Sequence, residues 1–204
     1  MARHGHPLNY HLRDSIAQLA ARLMAEGTED FALAKRKAAR QLGASETQNL
    51  PNNSEIEQAL RVHLALYQGD AQVSTLHQLR SQALRVMREL EAFNPLLTGP
   101  VLRGTASVYT DIDLVLFADS QKDVEHWLLN RRLPYKTAEK RFRFRERVRL
   151  VPTLVMGFDG EADVQLAILS PSDCRSMPLS PLDGKVLQGA RQVDVEALVA
   201  AGAE

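Results

Sequence analysis

Residues Val101 to Phe117 read VLRGTASVYTDIDLVLF, and two acids, Asp111 and Asp113, stand one position apart at the head of its apolar run. Side chains alternate along a strand, so residues i and i+2 leave the same face with Cα atoms ~6.6 Å apart. Asp111 and Asp113 therefore share one face, and Ile112 and Leu114 take the other. Two carboxylates this close repel and raise each other's pKa unless positive charge sits between them. A divalent cation is the usual remedy, and hard oxygen ligands suit Mg2+ or Mn2+. The plainer alternative is an acidic turn opening a strand, with Thr110 and Asp111 bonding nearby backbone.

A second cation on that face needs a third acid. The run GEADVQLAIL offers Asp163, at the head of another apolar strand, with Glu161 as its nearest rival. If the two strands pair side by side, Asp111, Asp113 and Asp163 form a triad able to hold two ions. Two such cations can activate a hydroxyl and stabilise a pyrophosphate leaving group. The alternative for Asp163 is a solvated hairpin residue. Upstream, Gly104 permits close backbone approach, and Thr105 offers an N–H and a hydroxyl to a phosphate oxygen. Arg103 would add a charge-assisted contact.

Working outward, the first ~92 residues carry helical periodicity. One helix is expected from an Asp14/Ser15 cap to Gly27, with Ile16, Leu19, Ala20 and Leu23 as its stripe. A second starts at Asp30 and stops at Gly43. Ser54 and Glu57 suggest a capping box for a third, and a fourth follows Gly69-Asp70 with Leu76, Leu79, Ala83, Val86, Met87 and Leu90 on one face. Beyond Asn94-Pro95 the pattern turns to strands: LLTGPVLRG, DIDLVLFA, YKTAEKRFRF, RVRLVPTLVMGF and ADVQLAIL. A helix capped by Ser120 interrupts them, and Asp159-Gly160 reads as a hairpin turn. The order is α+β rather than a strict strand–helix alternation. Three regions are expected: helical residues 1–72, a core over 73–170, and an irregular tail over 171–204 with a short helix at DVEALVAA.

The 204 residues suffice for a sizeable core, and their 25 basic and 25 acidic residues cancel. No global field draws the chain to nucleic acid or membrane, so electrostatic recognition must be local. The lone cysteine, Cys174, excludes an internal disulfide framework and fits a reducing compartment. The start, MARHGHPLNYHLRDS, lacks the apolar stretch of a secretory leader, and no run approaches the ~18 apolar residues of a membrane span. A cytoplasmic protein with no membrane partner is expected.

An apolar strand, a Gly-Thr turn, Asp-x-Asp opening a second strand and a lone Asp on a later one together resemble the polymerase β-like nucleotidyltransferase superfamily. The resemblance spans about Val73 to Leu169. It implies a mixed, twisted sheet with helices packed on one side. It also implies metal-dependent transfer of a nucleoside monophosphate from a nucleoside triphosphate to an acceptor hydroxyl. Asp111, Asp113 and Asp163 would hold two Mg2+ or Mn2+ ions, and Gly104 and Thr105 the phosphates. The acceptor, a small molecule, RNA or protein, is left open. Some domains of this shape have lost catalysis, so a silent nucleotide-binding or protein-interaction module is the alternative.

KRFRFRERVR puts Arg141, Arg143, Arg145, Arg147 and Arg149 in alternation with Phe142 and Phe144. One face of arginines is expected, either binding phosphates, through Arg143 and Arg145, or guarding a strand edge. AKRKAARQ reads as a solvated helix face, His4, His6 and His11 as a mobile terminus, and His63, His77 and His126 have no ligand-like spacing.

Overall fold

A computed structural model describes residues 7–28, 30–45, 47, 49–67, 69–145, 147–157 and 161–202. The expected Asp159-Gly160 turn, His4 and His6 lie outside the described residues. The chain divides into two compact units, residues 1–72 and 73–204. The fold is α+β: among the described residues there are seven α-helices and a five-stranded mixed sheet.

The first unit is helical. Helix α1 is Pro7–Ala25, α2 is Phe31–Gln41 and α3 is Asn53–Tyr67. Ile16, Ala20 and Ala21 of α1, Ala34 and Ala38 of α2, and Ile56, Leu60 and Leu64 of α3 form its core. Small alanines on two of these helices let their backbones approach closely. Helix α2 starts after Asp30 as expected, and Asp30 caps it, its carboxylate accepting from the Leu33 N–H at 2.7 Å. Two boundaries move. The Asp14/Ser15 signal falls inside α1, where Asp14 accepts instead from Gln18 one turn on. The capping box of α3 is Asn52/Glu55 rather than Ser54/Glu57, each side chain accepting from the other's backbone N–H at 2.8 and 2.6 Å. Asparagine caps as well as serine does, so both pairs satisfied the same pattern.

Helix α4, Gly69–Glu89, opens the second unit for most of its length. Then follow β1 (Leu96–Thr98), α5 (Gly99–Arg103), β2 (Ile112–Phe117), α6 (Gln121–Asn130), β3 (Tyr135–Phe144), β4 (Arg147–Met156), β5 (Val164–Leu169) and α7 (Gln192–Ala201). The strand order is β1-β2-β5-β4-β3, with β2 and β5 parallel and every other pair antiparallel. No described helix is long and apolar enough to cross a membrane.

The expected run LLTGPVLRG is only three residues of strand. At Gly99-Pro100 it turns into the short helix α5, because proline preset for a helix start has no N–H for a ladder. Alternation then divides the sheet. Ile112, Leu114 and Leu116 of β2, with Val164, Leu166 and Ile168 of β5, face a core built with α4, α6 and α7. Val115, Phe117, Ala167, Leu169 and Val151 face the other way, under Met177 and Leu187 of the tail. Asp113 shares that second face with Val115 and Phe117. Ser120 caps α6 in a box with Asp123.

The expected single face of five arginines is corrected by register. β3 and β4 form one ribbon in which Phe142 lies opposite Arg149, and Phe144 opposite Arg147. Directly paired residues project to the same side, so Arg147 and Arg149 join the phenylalanines while Arg141 and Arg143 point to the reverse side. The turn between the strands, where Arg145 has φ +48°, resets the alternation.

Leu116 is fully buried among these helices, whereas Leu129 is 58% exposed on α6. Leu116→Ala should lower unfolding stability by ~2–5 kcal/mol and Leu129→Ala by less than ~0.5 kcal/mol, read from urea midpoints. Equal effects would contradict the division of faces.

Candidate functional site

The parallel pairing of β2 with β5 places the acids. Ile112 lies beside Val164 and Asp113 beside Gln165, and the Ile112 N–H donates to the Asp163 carbonyl at 2.9 Å. The same register sets Asp111 beside Asp163, one step before each strand. The two residues before Asp163 are tied to α4: Gln82 donates to the Ala162 carbonyl at 2.7 Å, and Arg85 pairs with Glu161. Glu161, the rival third ligand, is thus held by an arginine of α4. Gly157, at the end of β4, leaves room for Asp163, whose Oδ1 would lie 3.3 Å from any added Cβ.

Each carboxylate in the pair has its own partner. The Gln165 amide donates to Asp111 Oδ2 at 2.5 Å, and the Lys140 ammonium donates to Asp113 Oδ1 at 2.6 Å. Lys140 comes from β3, three places along the sheet from β2. In a flat sheet that separation is ~14 Å, more than the two side chains span, so the β3–β4 ribbon must curl over the acid face. Burial lifts the Asp111 carboxyl above its ordinary range. Asp163 and Asp113 add to the lift, against the Gln165 amide and Lys140. One ammonium among three carboxylates leaves this corner short of positive charge.

That shortage and the hard-oxygen donors suit a divalent cation held by Asp111, Asp113 and Asp163. Among the described residues, however, no three His, Cys, Asp or Glu side chains already stand grouped as a metal site. Lys140 takes the place on Asp113 that such an ion would compete for.

The turn residues fall elsewhere. Gly104 ends α5 at φ +80°, and a Cβ there would face Arg80 and Leu76 of α4. Arg80 itself donates to the Val101 carbonyl at 3.2 Å, and its burial lowers its pKa. Arg103 is the last residue of α5. Thr105 is 3% exposed, its N–H donating to the Pro100 carbonyl at 3.0 Å. The loop beyond it is tied back on itself, the Ser107 N–H donating to Thr110 Oγ1 at 2.9 Å. Arg143 projects from the side of the ribbon opposite Lys140, and Arg145 stands in its turn.

The glycine that does meet the acids is Gly99. At φ +73° it opens α5 next to Asp113, where any Cβ would lie 2.5 Å from Asp113 Oδ2. No larger residue fits without displacing that carboxylate. The signal for it was present: Gly-Pro directly after a short apolar run marks a strand passing into a helix start. In the first unit, an open groove between α1 and α3 is lined by Val62, Leu66 and Tyr67 and by the Arg13–Glu55 ion pair, and has no acidic cluster like that of β2 and β5.

No known protein-family model matches the chain, and no curated protein matches it.

A carboxyl whose pKa is raised by folding keeps its proton longer in the native than in the unfolded state. Stability contributed by Asp111 therefore falls as pH rises through the carboxylate range, and the ionised group destabilises the fold at neutral pH. Asp111→Asn should melt above wild type at pH ~7, with the gap closing near pH ~3.9, where the unfolded carboxyl also takes up its proton. A lower melting temperature for the variant at neutral pH would show that the three acids are not crowded.

Proposed function

We propose that this chain is a metal-dependent nucleotidyltransferase, moving a nucleoside monophosphate from a nucleoside triphosphate to an acceptor hydroxyl, in a reducing cytoplasm. What supports this most is that Asp111, Asp113 and Asp163 head two neighbouring parallel strands, in a corner with a deficit of positive charge. The resemblance to the polymerase β-like superfamily adds to it, on the same residues.

Asp111, Asp113 and Asp163 would hold the cations. Two Mg2+ or Mn2+ ions, when bound, neutralise the charge that develops on the transferring phosphoryl group and its leaving group. In the reaction the acceptor oxygen forms a bond to the α-phosphorus, the bond from that phosphorus to the bridging oxygen breaks, and pyrophosphate leaves. The acceptor proton passes to a carboxylate. Lys140 balances Asp113 beforehand and brings a mobile positive charge to the phosphate site. Gly99 keeps the space beside Asp113 Oδ2 open.

A second reading is favoured by the Lys140–Asp113 pair and by the burial of Thr105. In it the same face binds a nucleotide, or a protein, without turnover. Calorimetry with nucleoside triphosphates and Mg2+ separates the two. The transferase reading expects Mg2+-dependent binding, weakened at least about tenfold in Asp113→Ala (a loss of ~1.4 kcal/mol), together with pyrophosphate release. Binding without pyrophosphate release favours the silent module. Absence of binding in wild type overturns both nucleotide readings.

A further inference from the structure

In a chain whose charges cancel, the ribbon Tyr135–Met156 carries seven basic residues against two acidic ones. Two of the seven are used inside the fold. Lys140 holds Asp113, and Arg149 lies 3.6 Å over the Phe144 ring and pairs with Asp173 at 2.8 Å. Those contacts pin the ribbon to the acid face at one point and to the tail at another. Arg141, Arg143, Arg145 and Arg147 are exposed, and none forms an ion pair with a described residue.

Their surroundings do not resemble a merely solubilised strand. Val148 and Leu150 lie directly opposite Arg143 and Arg141, and each is 59% exposed. A face evolved only for solubility has no use for two large aliphatic side chains in water. Nor do the arginines guard an open edge: the outer edge of β3 is bridged at Arg143 by Leu179. Guanidinium groups interleaved with apolar side chains suit a ligand that alternates phosphate with flat, weakly polar rings. An acidic protein surface would need the charges but not the aliphatic side chains between them.

Arg141, Arg143, Val148 and Leu150 share the ribbon side opposite Lys140, and the turn at Arg145 lies five residues beyond Lys140, or ~17 Å. We infer that the face of the β3–β4 ribbon turned away from the acids binds single-stranded nucleic acid, its phosphates on Arg141, Arg143 and, at the turn, Arg145, and its bases against Val148 and Leu150. This binding does not rest on the transferase reading.

The test is fluorescence anisotropy of the full chain with labelled oligouridylate and oligothymidylate at several salt concentrations. Wild type should bind, with log K falling linearly in log salt. The Arg141→Ala/Arg143→Ala variant should bind about tenfold or more weakly at low salt, with a slope shallower by ~1.4, from ~0.7 for each lost phosphate contact. Arg141→Glu alone, at an exposed site, should weaken binding as well, so a poorly folding double variant does not decide the matter. Oligonucleotide binding is read without Mg2+ or nucleoside triphosphate, which keeps failure here distinct from failure of nucleotide transfer. Binding of uridylate alone identifies RNA as the strand, and binding of both supports either nucleic acid. Equal affinity for polyglutamate, a preference for duplex, no binding by wild type, or an unchanged salt slope in the double variant would each overturn the inference.

Discussion

The parallel contact between β2 and β5 sets the electrostatics of the second unit. It brings Asp111, Asp113 and Asp163 to one end of the sheet in a register that the backbone enforces. Mutual repulsion there is tolerated because the opposite face of the same strands is packed with Ile112, Leu114, Leu116, Val164 and Leu166, all essentially inaccessible. A slip of one residue would exchange the acids for these side chains, burying charge and exposing the core. The core that holds the sheet thus also holds the carboxylates in their unfavourable proximity, an arrangement typical of sites kept for binding rather than for stability.

The ribbon of β3 and β4 is the counterweight. It runs past the part of the sheet it is hydrogen-bonded to, since only Thr153–Met156 of β4 pair with β5. Its curl carries Lys140 back to Asp113. Lysine is the residue suited to that position: a compact charge on a flexible stem, able to neutralise a carboxylate and to give way to a stronger cation. Arginines on the same ribbon, with fixed planar heads, suit phosphate instead. A single pair of strands therefore joins the acid corner to the basic surface, and any tilt of the ribbon changes both.

Much of this was legible in the sequence because it follows from period. The spacing of Asp111 and Asp113 fixed their common face, and the apolar residues between and after them fixed the buried one. The helix start at Asp30 and the cap at Ser120 were readable from residue type alone. What was not legible depended on tertiary context. The pairing of Asp163's strand with β2 is a long-range choice that no local pattern specifies. LLTGPVLRG looked like strand because its apolar residues run on, although Gly99-Pro100 stops the ladder. The five arginines looked coherent because alternation was carried through a turn that breaks it. Lys140 carried no signal at all, being one more basic residue in a basic run until the curl of the sheet aims it at Asp113.

The most direct measurement is broadening of backbone amide NMR signals by substoichiometric Mn2+. The signals of Asp111–Leu114 and of Asp163–Leu166 should fade first and together, with Lys140 following as its ammonium is displaced. Broadening centred elsewhere, or none at millimolar Mn2+, would contradict a cation site built on the β2–β5 pairing.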